Sequence, residues 1–270
     1  MREYLDLVQR VLTHGRQKTN RTGVDTISCF AEHYRVDLAK GYPLLTTKRV
    51  NFKSMLHEVL WYLSGEDHIR NLRQHTRIWD AWADGEGNLD TAYGRYWRRF
   101  PSAQLNPATG EYEVVEVDQI GRIVEILKTD PTSRRMVVTA WEPGNALSSK
   151  LPPCHYTFAF NVQEDRLNCH LTQRSGDIAL GIPFNLACYS LLTQILAQEA
   201  GLGLGEFSHM IIDAHIYVNH IDGLKEQLTR APRPLPRLEI ARKPLDGLHF
   251  DDFTLSDYNP HEPIRFEVAV

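Results

Sequence analysis

HYTFAFNVQEDRLNCHLTQRSGDIALGIPFNLACYSLLTQILAQEAG, residues 155–201, sets two strand-like runs ahead of one long apolar helix. Residues 155–163 and 166–174 read as strands, and in the second Leu167, Cys169 and Leu171 alternate onto one face. Residues 185–201 are apolar on nearly every side, the pattern of a helix enclosed by the rest of the fold. Residues 135–141, RMVVTAW, add a further strand upstream. Strands and helices interleave without the regular period of βαβ units. The block therefore predicts a mixed sheet with helices against it, an α+β fold.

The flanking sequence extends that reading. Residues 2–15 place Tyr4, Leu5, Val8, Val11 and Leu12 on one helical face, with Gly15 as the C-cap. A turn at 21–26 leads into a strand over 27–38. A second helix over 53–65 carries the stripe Met55, Leu56, Val59, Leu60 and Leu63, and Glu58 falls at the edge of that stripe, an odd position for a carboxylate. Residues 232–244 read as a strand bracketed by prolines, and the charged run 110–118 as an exposed excursion. No repeat, low-complexity tract or linker divides the chain, so residues 1–270 are expected to form one domain.

Bulk properties narrow the class. The 270 residues are 42% apolar and 24% charged, enough for a full core. A net charge of −4 gives no support to nonspecific binding of nucleic acid or anionic membrane. No apolar run approaches the ~20 residues that span a bilayer, and the first residues do not resemble a signal peptide. Cys29, Cys154, Cys169 and Cys188 are widely spaced with no C-x-x-C pair, which argues against a zinc site or a disulfide scaffold. A reduced, cytoplasmic protein is expected.

Several short constellations could carry chemistry, and each also has a plain structural reading. Cys154 is either a packed thiol or a nucleophile. His155 follows it directly, and neighbours on a strand face opposite ways, so His155 is not its direct base. Arg21, Arg134, Arg135 and Arg174, with Ser175, are either solvated surface groups or the forks and hydroxyl that hold a phosphate dianion. No Gly-rich phosphate loop is present. Asn185 is either an N-cap or an amide presenting one donor and one acceptor to a flat ring. His215 and Tyr217, two apart, share a face on an extended chain and could grip one hydroxyl. Trp79 and Trp82, three apart, are core residues or, on a helix, the flanks of a flat ring.

Taken in order, QKTNRTG, YPLLTTKR, HEVLWYLSG, IWDAWAD, AYGRYWR, DPTSRRM, LPPCH, QRSGDIALGIPFNLACYSLL, DAHIYVNH, PRPLPRL and YNPH closely resemble the folate-dependent thymidylate synthase family across essentially the whole chain. The resemblance implies a methyltransferase of de novo dTTP biosynthesis that takes dUMP and 5,10-methylenetetrahydrofolate to dTMP and dihydrofolate. Cys154 matches the nucleophile that adds to C6 of the uracil. A soft, reversible thiol suits such an addition and its later reversal. By the same resemblance Arg21, Arg174, Ser175 and Gly176 bind the nucleotide phosphate side, joined by Arg134 and Arg135 from the partner of an obligate homodimer. That cationic cluster is expected to favour the Cys154 thiolate.

Asn185 resembles the uracil reader, and His215 and Tyr217 the pair on the ribose 3′-hydroxyl. Glu58 matches the glutamate that organises proton transfer near O4, and Tyr93 the residue near the C5 proton. Gln173 and His155 resemble supporting members of that network. For the folate, Asp177 resembles the pterin carboxylate. Ile78, Trp79, Trp82, Leu180, Gly181 and Phe184 look like ring walls, and Lys48 and Asn51 like contacts to its acidic tail. Ala269 and the Val270 carboxylate resemble a closing segment that keeps water out. No metal, nicotinamide, membrane or nucleic acid is implied for catalysis. The family fold is a single α+β domain whose large mixed sheet packs back to back in the homodimer. Asn51 stands where some members carry histidine, and Ile212 where the family usually has glycine. Residues 102–117 vary among members and carry no assigned role.

The nearest competing reading is a pyrimidine deoxynucleotide hydroxymethylase of the same fold, in which water rather than hydride finishes the reaction. Asn185, where the cytosine enzymes tend to have aspartate, weighs against it. A cysteine hydrolase would use Cys154 but needs no folate. A nucleotide- or RNA-binding regulator would need none of Cys154, Glu58 and Tyr93.

Overall fold

The apolar run after Asp177 folds as a helix of 20 residues, Gly181–Ala200. It begins four residues ahead of Asn185, so Asn185 lies in its second turn and the N-cap reading is corrected. The computed structural model describes residues 1–268. In chain order its first elements are α1 (Arg2–His14), β1 (Arg16–Lys18), β2 (Thr26–Asp37), α2 (Phe52–Ser64) and α3 (Tyr93–Arg98). Then come β3 (Phe100–Leu105), β4 (Tyr112–Val117), α4 (Gln119–Thr129), β5 (Val137–Thr139) and α5 (Pro143–Ala146). The second half holds β6 (His155–Gln163), β7 (Arg166–Gln173), β8 (Gly176–Asp177), α6 (Gly181–Ala200) and β9 (Gly203–Tyr217). It ends with α7 (Ile221–Leu228), β10 (Arg237–Ile240) and β11 (Phe253–Ser256).

Seven strands make the main sheet in the order β1-β2-β9-β7-β6-β5, with β8 beside β9. The β7–β9 and β8–β9 pairs are parallel and the others antiparallel, so the sheet is mixed, with helices flanking it in one α+β domain. Leu167, Cys169 and Leu171 on β7 are buried together with Phe207 and Ile211 on β9 against the apolar α6. The opposite face carries His33, His170, Thr172 and Ser208 in one hydrogen-bonded group, with distances of 2.8, 2.9 and 3.2 Å. Ile212 sits inside β9 between Ile211 and Asp213, which pair with Glu32 and Phe30, so no turn forms there.

Helix α1 buries Tyr4, Leu7, Val8 and Val11, while the expected Leu5 and Leu12 are half-buried at the edge of its stripe. Gly15 ends it with its N–H on Val11 O, in an extended rather than left-handed conformation (φ −61°, ψ 137°). Space is what requires glycine, because a Cβ would sit 2.4 Å from the Val11 carbonyl. In α2 Met55, Leu56, Val59 and Leu63 are buried as expected, Leu60 is half-buried, and Glu58 is enclosed with them. The charged excursion is a β3–β4 hairpin whose Tyr112 and Val114 are each 75% exposed. The proline-bracketed strand is β10, paired with β11 apart from the main sheet. No helix among the described residues is long and apolar enough to cross a membrane.

Candidate active site

Two prolines and the end of a strand position the thiol. Cys154 is half-buried at the entry to β6, and its backbone N–H donates to the Tyr93 hydroxyl at 2.7 Å. Arg174, one residue past β7, locks the Pro152–Cys154 turn. Its Nε donates to Pro153 O at 3.0 Å and its Nη2 to Pro152 O at 2.7 Å, with Cys154 Sγ 3.5 Å from Nη2. Burial pushes the thiol up while Arg174 and Arg21 pull it down, and burial wins. The two arginines therefore act on the thiol in the expected direction, toward the thiolate, and in the single chain burial outweighs them. Arg21 is exposed, in the turn before β2, with its guanidinium 6.0 Å from the Trp82 ring centroid.

Behind the thiol lies an aromatic wall. Tyr93 stacks on His155 at 3.6 Å between centroids, and His155 Nδ1 lies 2.7 Å from the Tyr189 hydroxyl. Burial drives His155 down to about 3, so its ring is neutral and unsuited to act as a base for Cys154. Glu58 is 9% exposed and accepts from Trp79 Nε1 at 2.7 Å. Burial pushes its carboxyl up to about 7, against the lowering effect of the Trp79 and Tyr62 hydrogen bonds. Trp79 lies in a run of turns, Trp82 N–H reaching Trp79 O at 3.1 Å, so the helix that would pair these tryptophans around one ring is absent. Trp79 instead packs edge-on to Tyr93 at 5.9 Å.

Gln173 joins the two sides. Its Nε2 donates to Ser175 O at 2.8 Å and to Asn185 Oδ1 at 3.1 Å. Glycine at 176 is needed because a Cβ would meet Ile182 at 2.6 Å where α6 crosses the sheet. His215 and Tyr217 share a face as alternation predicts, with ring centroids 5.4 Å apart. Asp177 Oδ1 accepts from Ala179 N at 2.8 Å and Leu180 N at 3.3 Å. Lys48, expected at an acidic tail, is 5% exposed and donates to Ala179 O at 2.5 Å. Burial pushes it down to about 8, partly offset by Asp177. Asn51 caps α2 by accepting from Ser54 N at 3.2 Å and, with Arg49 and Lys53, lines a cleft of about 650 Å³.

The family model described as "Thymidylate synthase" matches residues 2–270. A curated relative named "Thymidylate synthase", from Haloferax volcanii, is 47% identical over 98% of this chain and 95% of its own length. This chain belongs to the thymidylate synthase family.

Against that thymidylate synthase family pattern, Cys154, Tyr93, His155 and Arg174 are linked by direct contacts, as are Gln173, Ser175 and Asn185, and the two groups meet where His155 pairs with Gln173 across β6 and β7. Trp79 connects Glu58 to the same wall. Asp177 and Asn185 flank Gly181, where a Cβ would sit 3.9 Å from Asp177 Cβ and 3.7 Å from Asn185 Oδ1. The bare backbone leaves a cradle beside these two residues, and the neighbouring Leu180 and Phe184, both half-buried, supply apolar surface. Trp82 is half-buried and Ile78 exposed on the segment that also carries Trp79. Such a set fits a flat ring with a polar edge. Arg134 and Arg135 are not brought in by their own chain. They are exposed and precede β5, where Met136 O accepts from Phe160 N, six residues along β6 from Cys154. At ~3.3 Å per residue that is roughly 20 Å, beyond one arginine side chain. Ala269 and Val270 lie outside the described residues. Sequence reasoning gave no role to Tyr189, although it lies in the QRSGDIALGIPFNLACYSLL stretch, and missed His209 and Tyr34, buried groups of the same network with no local motif to mark them.

Proposed function

We propose that this chain converts dUMP to dTMP by reductive methylation, using 5,10-methylenetetrahydrofolate and releasing dihydrofolate. The observation that carries the reading is the Arg174 Nη2 to Cys154 Sγ contact at 3.5 Å, in a chain of this family. Arg174 is tied to the proline turn and to the thiol at once, so a nucleotide phosphate drawn to this cation would set the uracil beside Sγ.

The Cys154 thiolate adds to C6 of the ring, and negative charge develops on O4. The Asn185 amide donates to that oxygen, preorganised by Gln173. Glu58, titrating at about 7, can both hold and release a proton at neutral pH, which suits it to proton movement near O4. Tyr93 holds the Cys154 backbone N–H on its hydroxyl, which suits that hydroxyl to work near the C5 proton. His215 and Tyr217 take the sugar hydroxyl. Arg21 and Ser175 join Arg174 on the phosphate.

The folate supplies the one-carbon unit and the hydride. Asp177, Gly181, Leu180, Phe184, Ile78, Trp79 and Trp82 would hold its rings, and Lys48, Asn51 and the cleft beside Asn51 its tail side. Residues 264–267 are anchored near Asp177, with His220 Nε2 2.8 Å from Glu267 O and Phe266 edge-on to the His220 ring at 5.1 Å.

Two copies complete the site. The distance between Cys154 and the Arg134–Arg135 pair along one chain supports their delivery in trans. The sheet face bearing His33, His170 and Ser208 is the surface on which the copies would pack. Residues 1–270 act as one catalytic domain of a cytoplasmic homodimer.

A spectrophotometric assay with dUMP and methylenetetrahydrofolate tests the reading. dTMP formed in step with dihydrofolate supports it. A hydroxymethylated nucleotide without dihydrofolate rejects it in favour of water as the final reactant.

A further inference from the structure

Asn185 reads a ring only if its two amide ends are told apart, and the structure contains a device for that. Ser175 O is a carbonyl and can only accept, so the Gln173 atom 2.8 Å from it is the amino group. That amino group spends its second hydrogen on Asn185, 3.1 Å away, so the Asn185 atom facing it is Oδ1 and the Asn185 amino group is turned away. The remaining end of Gln173 is Oε1, an acceptor, 3.0 Å from His209 Nε2. His209 must therefore carry its hydrogen on Nε2. Burial pushes its ring well down from the ordinary range, so it is neutral and has one N–H only. Its Nδ1 is then an acceptor, and the Tyr34 hydroxyl 2.9 Å away donates to it. His209 and Tyr34 are 0% and 5% exposed and pair across β9 and β2.

We propose that His209 and Tyr34 are positioning residues that fix the polarity of the Gln173–Asn185 pair, and so set the preference for uracil over cytosine. The inference rests on the assignment of Asn185 as the uracil reader. Every hydrogen in the series runs one way, from Tyr34 Oη to His209 Nδ1, His209 Nε2 to Gln173 Oε1, and Gln173 Nε2 to Asn185 Oδ1. Reversing Asn185 would require reversing Gln173, which would turn two acceptors, Gln173 Oε1 and Ser175 O, toward each other and leave His209 facing a donor. The ligand class concerned is a pyrimidine 2′-deoxynucleotide, discriminated at the ring positions where uracil and cytosine exchange donor and acceptor.

The first test needs no substrate. ¹⁵N NMR of the histidine rings in the ligand-free wild-type protein should give His209 as the Nε2–H tautomer. An Nδ1–H or doubly protonated ring overturns the inference whatever the enzyme acts on. The second test compares His209→Phe, which lacks the donor, with His209→Gln, whose amide can still reach Gln173, and with Tyr34→Phe. The dUMP-over-dCMP affinity ratio should fall about two- to tenfold in His209→Phe and Tyr34→Phe, the range one net hydrogen bond gives, and recover in His209→Gln. Loss of thermal stability with an unchanged ratio means a purely structural role and overturns it. If the wild type shows no preference for dUMP, the functional reading fails, while the tautomer still scores the hydrogen-bond series.

Discussion

The indole N–H of Trp79 donates to Glu58 Oε1 across 2.7 Å, in surroundings that leave the carboxylate 9% exposed. Burial raises the carboxyl and the indole lowers it, with the result near about 7. Trp79→Phe removes the lowering partner, so the inflection of the pH–rate profile assigned to Glu58 should move upward. Glu58→Gln should cut turnover about 10²- to 10⁴-fold, the range of a lost proton-transfer group. A profile unmoved by Trp79→Phe would remove the link.

The same carboxyl has a stability consequence. Its folded value, about 7, exceeds the ordinary 4.5, so the stability tied to its bound proton is fully present below 4.5 and is lost as pH rises through about 7. The wild type should lose more thermal stability between pH 4.5 and pH 8 than Glu58→Gln. Equal losses in both proteins would mean that Glu58 titrates as an ordinary surface group.

Cys154 is held up by burial and drawn down by Arg174 and Arg21. Alkylation by iodoacetamide at fixed pH should therefore slow about tenfold in Arg174→Leu and change much less in Arg174→Lys, which keeps the charge. Turnover should fall in both, because the forked contacts to Pro152 and Pro153 are lost. Equal alkylation rates in wild type and Arg174→Leu would dissociate the arginine from the thiol.

Asn185→Asp should move binding from dUMP toward dCMP, since a carboxylate can still accept from Gln173 while offering an acceptor to the cytosine amine. Competition between the two nucleotides measures this. An unchanged preference would take ring reading away from Asn185.

Delivery of Arg134 and Arg135 in trans has its own signature. Cys154→Ser and an Arg134→Ala/Arg135→Ala double variant, each inactive alone, should regain activity when mixed and allowed to exchange subunits. Half the dimers would then pair the two variants, each with one complete site, giving roughly a quarter of wild-type activity. No recovery despite demonstrated exchange would mean that the arginines do not cross the interface.

Much of this was legible in the chain. Alternation marked β7 through Leu167, Cys169 and Leu171, and the odd carboxylate in the α2 stripe proved to be Glu58, enclosed beside Trp79. The start of α6 was placed four residues late because Asn185 is a good N-cap type, whereas Gly181 and Pro183 are both tolerated in a first helical turn. The first part of β9 carries glycines and charges and owes its strand conformation to β2 and β7, partners far away in sequence. His209 and Tyr34 were invisible for the same reason. Their role comes from a pairing across two strands, and neither sits in a motif.

Trapping Cys154 on the ring tests the central claim most directly. A dUMP analogue with fluorine at C5 cannot lose that substituent as a proton is lost, so the adduct should persist. Mass spectrometry of the digested protein after incubation with 5-fluoro-dUMP and the folate should find the nucleotide on the peptide holding Cys154, with none in Cys154→Ser. Nucleotide mass on Cys29, Cys169 or Cys188, or no adduct in an enzyme that still forms dTMP, would contradict the account.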